Sequence, residues 1–172
     1  MKNMHQNFHA QGHGPSVDFS GSGLALPVLS DEAVASLRFM IEEEKMAGDL
    51  YEAFYLQTGS SIFSRIAASE DRHMDALLNQ ANLAGIDVSD LLVLPAGEYQ
   101  DPALQSLFDD LYETGSVSQE AALSVGLFVE QTDMVDLNNA LDDVAGTSLV
   151  GVYSRLLSGS ENHLAAFDMW LA

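Results

Sequence analysis

Residues 37–73 read LRFMIEEEKMAGDLYEAFYLQTGSSIFSRIAASEDRH, and the spacing inside this stretch decides the fold. Leu37, Met40, Ile41, Glu44, Gly48, Tyr51 and Tyr55 recur at intervals of three and four, the period of one helix face. Ser30 or Asp31 can cap that helix at its start, and Gly59 suits its C-terminal cap. Ser60 or Ser61 restarts the pattern, and Phe63, Ile66, Glu70, His73, Met74, Leu77 and Ala81 carry it to Gly85. Glu44, Glu70 and His73 thus fall inside apolar stripes, whereas Glu42 and Glu43 fall outside and are expected in solvent. A carboxylate on a buried face is unfavourable unless something compensates it. A metal ion compensates two carboxylates and an imidazole together.

The remaining chain supplies two more helices. Residues 86–117 form a connection broken by Pro95, Gly97 and Pro102, with a short helix expected from Pro102 to Thr114. It is too long for a hairpin between neighbouring helices. A third helix is expected after Gly115, with Ser116 and Gln119 spaced as a capping box. Its stripe is Leu123, Leu127, Glu130, Asp133, Met134, Leu137 and Leu141. Gly146 marks a turn, and a fourth helix should run from about Ser148 to Leu171. Its stripe is Leu149, Val152, Tyr153, Leu156, Ser160, His163, Phe167 and Trp170. The pattern predicts an all-α domain over residues 30–172: an antiparallel four-helix bundle, with a long crossover holding a short helix between helices 2 and 3.

Composition narrows the function. The 172 residues are 47% hydrophobic, enough for one domain with its own core. Against 26 Asp+Glu stand only 6 Lys+Arg, a formal charge of -20. Such a surface repels nucleic acid and anionic membrane and gathers cations, though it also serves solubility or salt tolerance. There is no cysteine, which removes thiolate zinc, iron–sulfur and Cys-nucleophile chemistry. No apolar run reaches membrane-spanning length, and the N-terminus lacks a signal-peptide core, so the chain reads as cytoplasmic or as already processed. Residues 1–29 read as a flexible His/Gly-rich tail. His5, His9 and His13 would share a helix face and could take a transition metal, but Gly12, Gly14 and Pro15 argue against a helix there.

A dinuclear site in a bundle takes one Glu from each of two helices and Glu-x-x-His from each of the other two. Here Glu44, Glu70 and His73 supply one half in full. Glu130 and His163 supply part of the second. The residue three before His163 is Ser160, a poor ligand, and Glu161 points about 100° away on an ideal helix. Asp133, one turn from Glu130, is the leading candidate for the missing bridge. The two halves are similar: 29 residues separate Glu44 from His73, and 33 separate Glu130 from His163. Tyr51, two turns beyond Glu44, can donate to a site carboxylate or simply pack with its hydroxyl satisfied. A lone Glu or His on an apolar stripe is usually a helix-edge residue or hydrogen-bonded in the core; the agreement of several helices favours a metal site.

The segments EEEKMAGDLYEAF, IAASEDRHMDALLNQANLAGI, VEQTDMVDL and SGSENHLAAF together resemble an uncharacterised ferritin-like domain family of the ferritin and rubrerythrin superfamily. The resemblance covers residues 30–170 and implies a ferritin-like bundle. It also implies that Glu44, Glu70, His73, Glu130 and His163 ligate a di-iron or di-manganese centre handling oxygen, peroxide or ferrous iron. At Ser160 the superfamily pattern has Glu, so a complete symmetric site is in doubt. Rubrerythrins carry a cysteine-ligated iron domain for electron delivery; without cysteine, this chain would need an external electron donor.

Three functions are therefore expected to compete. The first is redox or ferroxidase-type chemistry at two irons, with manganese or zinc as alternatives and Tyr51 beside the reacting centre. The second is metal binding or storage without catalysis. The third is a structural bundle that has lost its metal. Metal ions are the expected partners, and a homodimer is compatible with such a bundle.

Overall fold

The computed structural model describes residues 28–172, which include six helices and no strand. The tail reading, with His5, His9 and His13, falls almost wholly outside the described residues. Helix α1 (Asp31–Thr58) starts at Ser30, whose hydroxyl accepts from the Ala33 N–H, and stops at Gly59 in the left-handed conformation. Helix α2 (Ser61–Ala84) stops the same way at Gly85. Both pairs of boundaries agree with the sequence pattern. Helix α3 (Ser89–Leu92) is a single turn too short to announce itself by periodicity, and α4 (Pro102–Gly115) opens on Asp101 as its cap. Helix α5 (Gln119–Asp143) is capped by Ser118, which accepts from the Ala121 N–H, rather than by Ser116, which instead closes α4. Helix α6 (Leu149–Leu171) completes the bundle.

The course of the chain follows from where each helix meets the core. One apolar cluster gathers Leu37, Leu77, Leu137 and Leu156; the other gathers Phe54, Phe63, Leu123 and Phe167. Helix α1 runs from the first cluster to the second, and α2 runs back. Helix α5 starts at the second cluster and α6 returns to it. Helices α2 and α5 therefore run parallel, and the segment between them must travel the length of the bundle. Helices α1 and α2 pack as one pair and α5 and α6 as another, joined through α1 with α5 and α2 with α6, while α4 lies on α1 and α5.

Between the two apolar clusters lies a polar layer to which all four long helices contribute. It contains Glu43 and Glu44, Glu70 and His73, Glu130 and Asp133, and Ser160 and His163. Four residue placements are corrected here. Glu42 and Glu43 are buried rather than solvated: the crossover packs Tyr99 and Leu104 against Met46 and covers the face of α1 that holds Glu42, while Glu43 faces Val129 and Asp133 of α5. Glu42 accepts a hydrogen bond from the Gln100 N–H of that crossover. Tyr55 and Trp170, placed on inner stripes, are 39% and 44% exposed. An ideal 3.6-residue repeat drifts off a fixed face over a long helix, and Phe54 takes the inner position instead of Tyr55. No helix among the described residues is long and apolar enough to cross a membrane.

Candidate metal centre

Glu70 lies at the middle of the polar layer, 3% exposed. Its two oxygens face different histidines: Oε2 is 2.8 Å from His73 Nδ1, and Oε1 is 2.9 Å from His163 Nδ1. His73 Nδ1 is also 3.2 Å from Glu44 Oε2, and His163 Nδ1 is 3.4 Å from Glu130 Oε2. The two imidazoles stack with centroids 5.4 Å apart. Each half thus holds one carboxylate and one imidazole, with Glu70 shared between them. Glu70, His73 and His163 each offer one donor atom, and these lie within 4.8 Å of one another. The His163–Glu70 contact has ion-pair distance but not hydrogen-bond alignment, leaving His163 Nδ1 and Glu70 Oε1 without a hydrogen-bond partner. Donor atoms that converge without bonding one another are what a cation-binding set requires.

Glu43, Glu44, Glu70, Glu130 and Asp133 all line one small enclosed cavity of about 10 Å³. Glu43 Oε2, Glu44 Oε1 and Asp133 Oδ1 are buried with no hydrogen-bond partner. Natural proteins rarely leave buried polar atoms unpaired without a reason such as a site for an ion or water. Burial, followed by the charges of Asp133 and other neighbouring carboxylates, pushes the Glu43 and Glu44 carboxyls well above their ordinary range. Burial also raises Glu130 to about 7 and Asp133 to about 6. Burial opposes ionised Glu70 too, but the two imidazoles of His163 and His73 close to its oxygens prevail and hold it at about 2. Burial works against a charged His163, yet the Glu130 and Glu70 carboxylates close to its Nδ1 raise it to about 9.

All six residues expected as ligands lie in this layer, and Glu43 joins them. Asp133 enters the layer from α5, beside Glu44, Glu70 and Glu130. Its Oδ2 takes a hydrogen bond from Ser160 Oγ across the α5–α6 interface, 2.5 Å long, and Ser160 also bonds the Leu156 carbonyl at 3.0 Å. A small residue at 160 leaves the space that Asp133 enters from the neighbouring helix. Tyr51 is fully buried, and its hydroxyl donates to Glu130 Oε1 at 2.7 Å, not to Glu44 on its own helix. Burial, then the Glu130 charge, raises the phenol pKa strongly, so Tyr51 acts as a fixed donor rather than a base. Removing it in Tyr51→Phe should leave Glu130 without that donor. A loss of about 1–3 kcal/mol in the metal-free protein is expected for a bond to a charged group, read by urea unfolding.

His73 is held in place from behind. A Cβ on Gly159 of α6 would lie 2.5 Å from His73 Nε2 and 2.6 Å from its Cε1. The bare glycine backbone lets the Nε2–Cε1 edge of the ring come up against α6 with Nδ1 facing the carboxylates. Gly159→Ala should therefore push the ring off its position. Metal affinity should fall by about 10- to 100-fold, the range seen when a ligand's supporting contact is lost. Titration calorimetry of the variant against the parent checks this.

The fold and the site define the class: a helical bundle carrying a buried cluster of carboxylates and histidines. The profile of the family described as "Uncharacterized protein domain (DUF2202)" matches residues 33–171, and the chain belongs to that family. It is 35% identical over 149 residues to the uncharacterized protein MJ0754 of Methanocaldococcus jannaschii, across 85% of this chain and 78% of the relative. The crystal structure of the hypothetical protein MJ0754 from Methanococcus jannaschii superposes with a TM-score of 0.81 at 34% identity. That match covers 87% of this chain and 85% of the other.

Proposed function

We propose that this chain is a ferritin-like metal protein whose polar layer binds two divalent ions, iron foremost, and supports redox chemistry with oxygen, peroxide or ferrous iron. The observation that carries the reading is Glu70, with one carboxylate oxygen toward each histidine and a further Glu beyond each. Glu44, His73 and Glu70 would hold one ion; Glu130, His163 and Glu70 would hold the other. The parallel course of α2 and α5, joined by a bundle-length crossover, supports the ferritin-like topology. The donor chemistry fits: carboxylates and imidazoles suit iron, manganese and zinc, and two divalent ions offset a layer of five buried carboxyl groups. Such a metal pair, when bound, supplies one-electron redox steps to a small oxygen-containing substrate.

The protein's own part follows from the geometry. Glu70 stays ionised and ties the halves together. Tyr51 fixes Glu130 by donating its phenol O–H to Glu130 Oε1. The Ser160–Asp133 hydrogen bond occupies one carboxylate oxygen of Asp133 and leaves its buried Oδ1 unpaired within the layer. The apolar clusters on either side keep water from the layer. Without cysteine, electrons for turnover come from an external donor.

Oxygen consumption on adding ferrous iron tests the redox reading. A rate well above buffer, lost in Glu70→Ala, is expected. Metal uptake with oxygen consumed no faster than in buffer would leave binding or storage as the function.

A further inference from the structure

We infer that the groove between the outer faces of α1 and α2 is the route by which a divalent cation reaches the polar layer, and that Gly48 keeps it open. The inference rests on the metal reading above. The groove holds about 370 Å³ and is walled by small residues, among them Gly48, Ser64, Ala67 and Ala68. Glu44 and Glu70 line it, and the same two residues line the enclosed cavity within the layer. They are 97% buried, and each has an oxygen without a hydrogen-bond partner, so they connect the surface groove to the inner donors.

Gly48 has no other evident reason to be glycine. It lies in the middle of α1, where glycine is a poorer helix former than alanine. Gly159 is forced by the His73 ring, but a Cβ on Gly48 would meet only Glu70 Cβ at 3.6 Å and Asp71 Oδ1 at 4.0 Å, ordinary contacts. A methyl group would fit there and would cover the floor of the groove over Glu70. What the missing side chain supplies is the opening.

The charge at the groove suits a cation. Glu52 and Asp71 stand exposed along it. Lys45 also lines the groove, but its head is turned toward the crossover: its Nζ lies 2.7 Å from Asp49 and 3.0 Å from the Pro95 carbonyl, and 4.6 Å from the centre of the Tyr99 ring. Glu52 and Asp71 are left free to raise the local cation concentration.

The test is stopped-flow binding of Co²⁺ to the metal-free full chain, followed by visible absorption, with the final Co²⁺ content measured separately. Gly48→Leu should slow association by at least about tenfold and leave the final content unchanged. Gly48→Ala should raise the melting temperature and slow association less. Glu52→Gln with Asp71→Asn should slow association and flatten its dependence on salt. Gly151→Leu, on the exposed face of α6, should change none of these. Parent-like association rates in both Gly48 variants, with parent-like Co²⁺ content, would overturn the route and leave the metal site standing. Failure of the parent chain to take up Co²⁺ would overturn the metal reading and the route with it.

Discussion

Glu70→Ala is expected to abolish tight binding at both halves of the site, with affinity falling by more than about 100-fold, beyond the loss usual for a supporting residue. The reason is its position. Its Oε2 is 2.8 Å from His73 Nδ1 and its Oε1 2.9 Å from His163 Nδ1, so neither half keeps its donor set without it. Glu44→Ala and Glu130→Ala should behave differently. Each carboxylate lies beside one histidine only, 3.2 and 3.4 Å away, so each substitution should remove one ion and spare the other. Titration calorimetry with ferrous or cobaltous ion under anaerobic conditions separates these outcomes. Equal, partial losses for all three variants would show that Glu70 is not shared. The metal-free Glu70→Ala protein should also unfold more easily near neutral pH. Glu70 is held at about 2, so its contribution is present above the ordinary carboxylate range and disappears only in strong acid.

The second large effect is the pH dependence of the metal-free protein. Burial, joined by repulsion from Asp133 and its neighbours, raises Glu43 and Glu44; burial alone is the leading cause that brings Glu130 to about 7 and Asp133 to about 6. A group raised in the folded state contributes stability that is complete below its unfolded pKa and lost as pH climbs through the folded one. Stability should therefore decline from about pH 5 to about pH 8. Glu70 opposes this only in strong acid, and the favourable contribution of His163 begins to fall above 6.5 and is gone above about 9, which adds to the decline. A loss of about 2 kcal/mol over that window would appear as a fall of about 4–8 °C in melting temperature for a chain of this size. Bound metal replaces those protons, so the loaded protein should hold its melting temperature and gain most from metal at the alkaline end. A metal-free melting temperature that rises from pH 5 to 8 would contradict the burial of these groups as carboxyl clusters.

The first half of the fold was legible because its punctuation is local. Ser30, Gly59 and Gly85 sit where caps must sit, and the stripes of α1 and α2 keep helical period through Glu44, Glu70 and His73. The same period exposed Glu130, Asp133 and His163 as polar residues on apolar faces. What escaped was set by contacts distant in sequence. Glu43 falls off the stripe of α1 and is buried only because α5 covers that side of the helix. Ser116 and Ser118 are both competent caps two residues apart, and only the end of α4 decides between them. The bond from Tyr51 to Glu130 crosses 79 residues of chain, and no spacing rule reaches that far. The gap at Ser160 was visible as a missing ligand. Its pairing with Asp133 needed the α5–α6 interface.

The most direct measurement is the metal content of the purified full chain after anaerobic loading with ferrous iron and removal of excess, set beside Glu70→Ala. The account predicts about two ions per chain, the count of a paired carboxylate–histidine site, and almost none in the variant. Less than about one ion per chain, unchanged in Glu70→Ala, would contradict it, because the layer that Glu70 joins would then not be a metal centre.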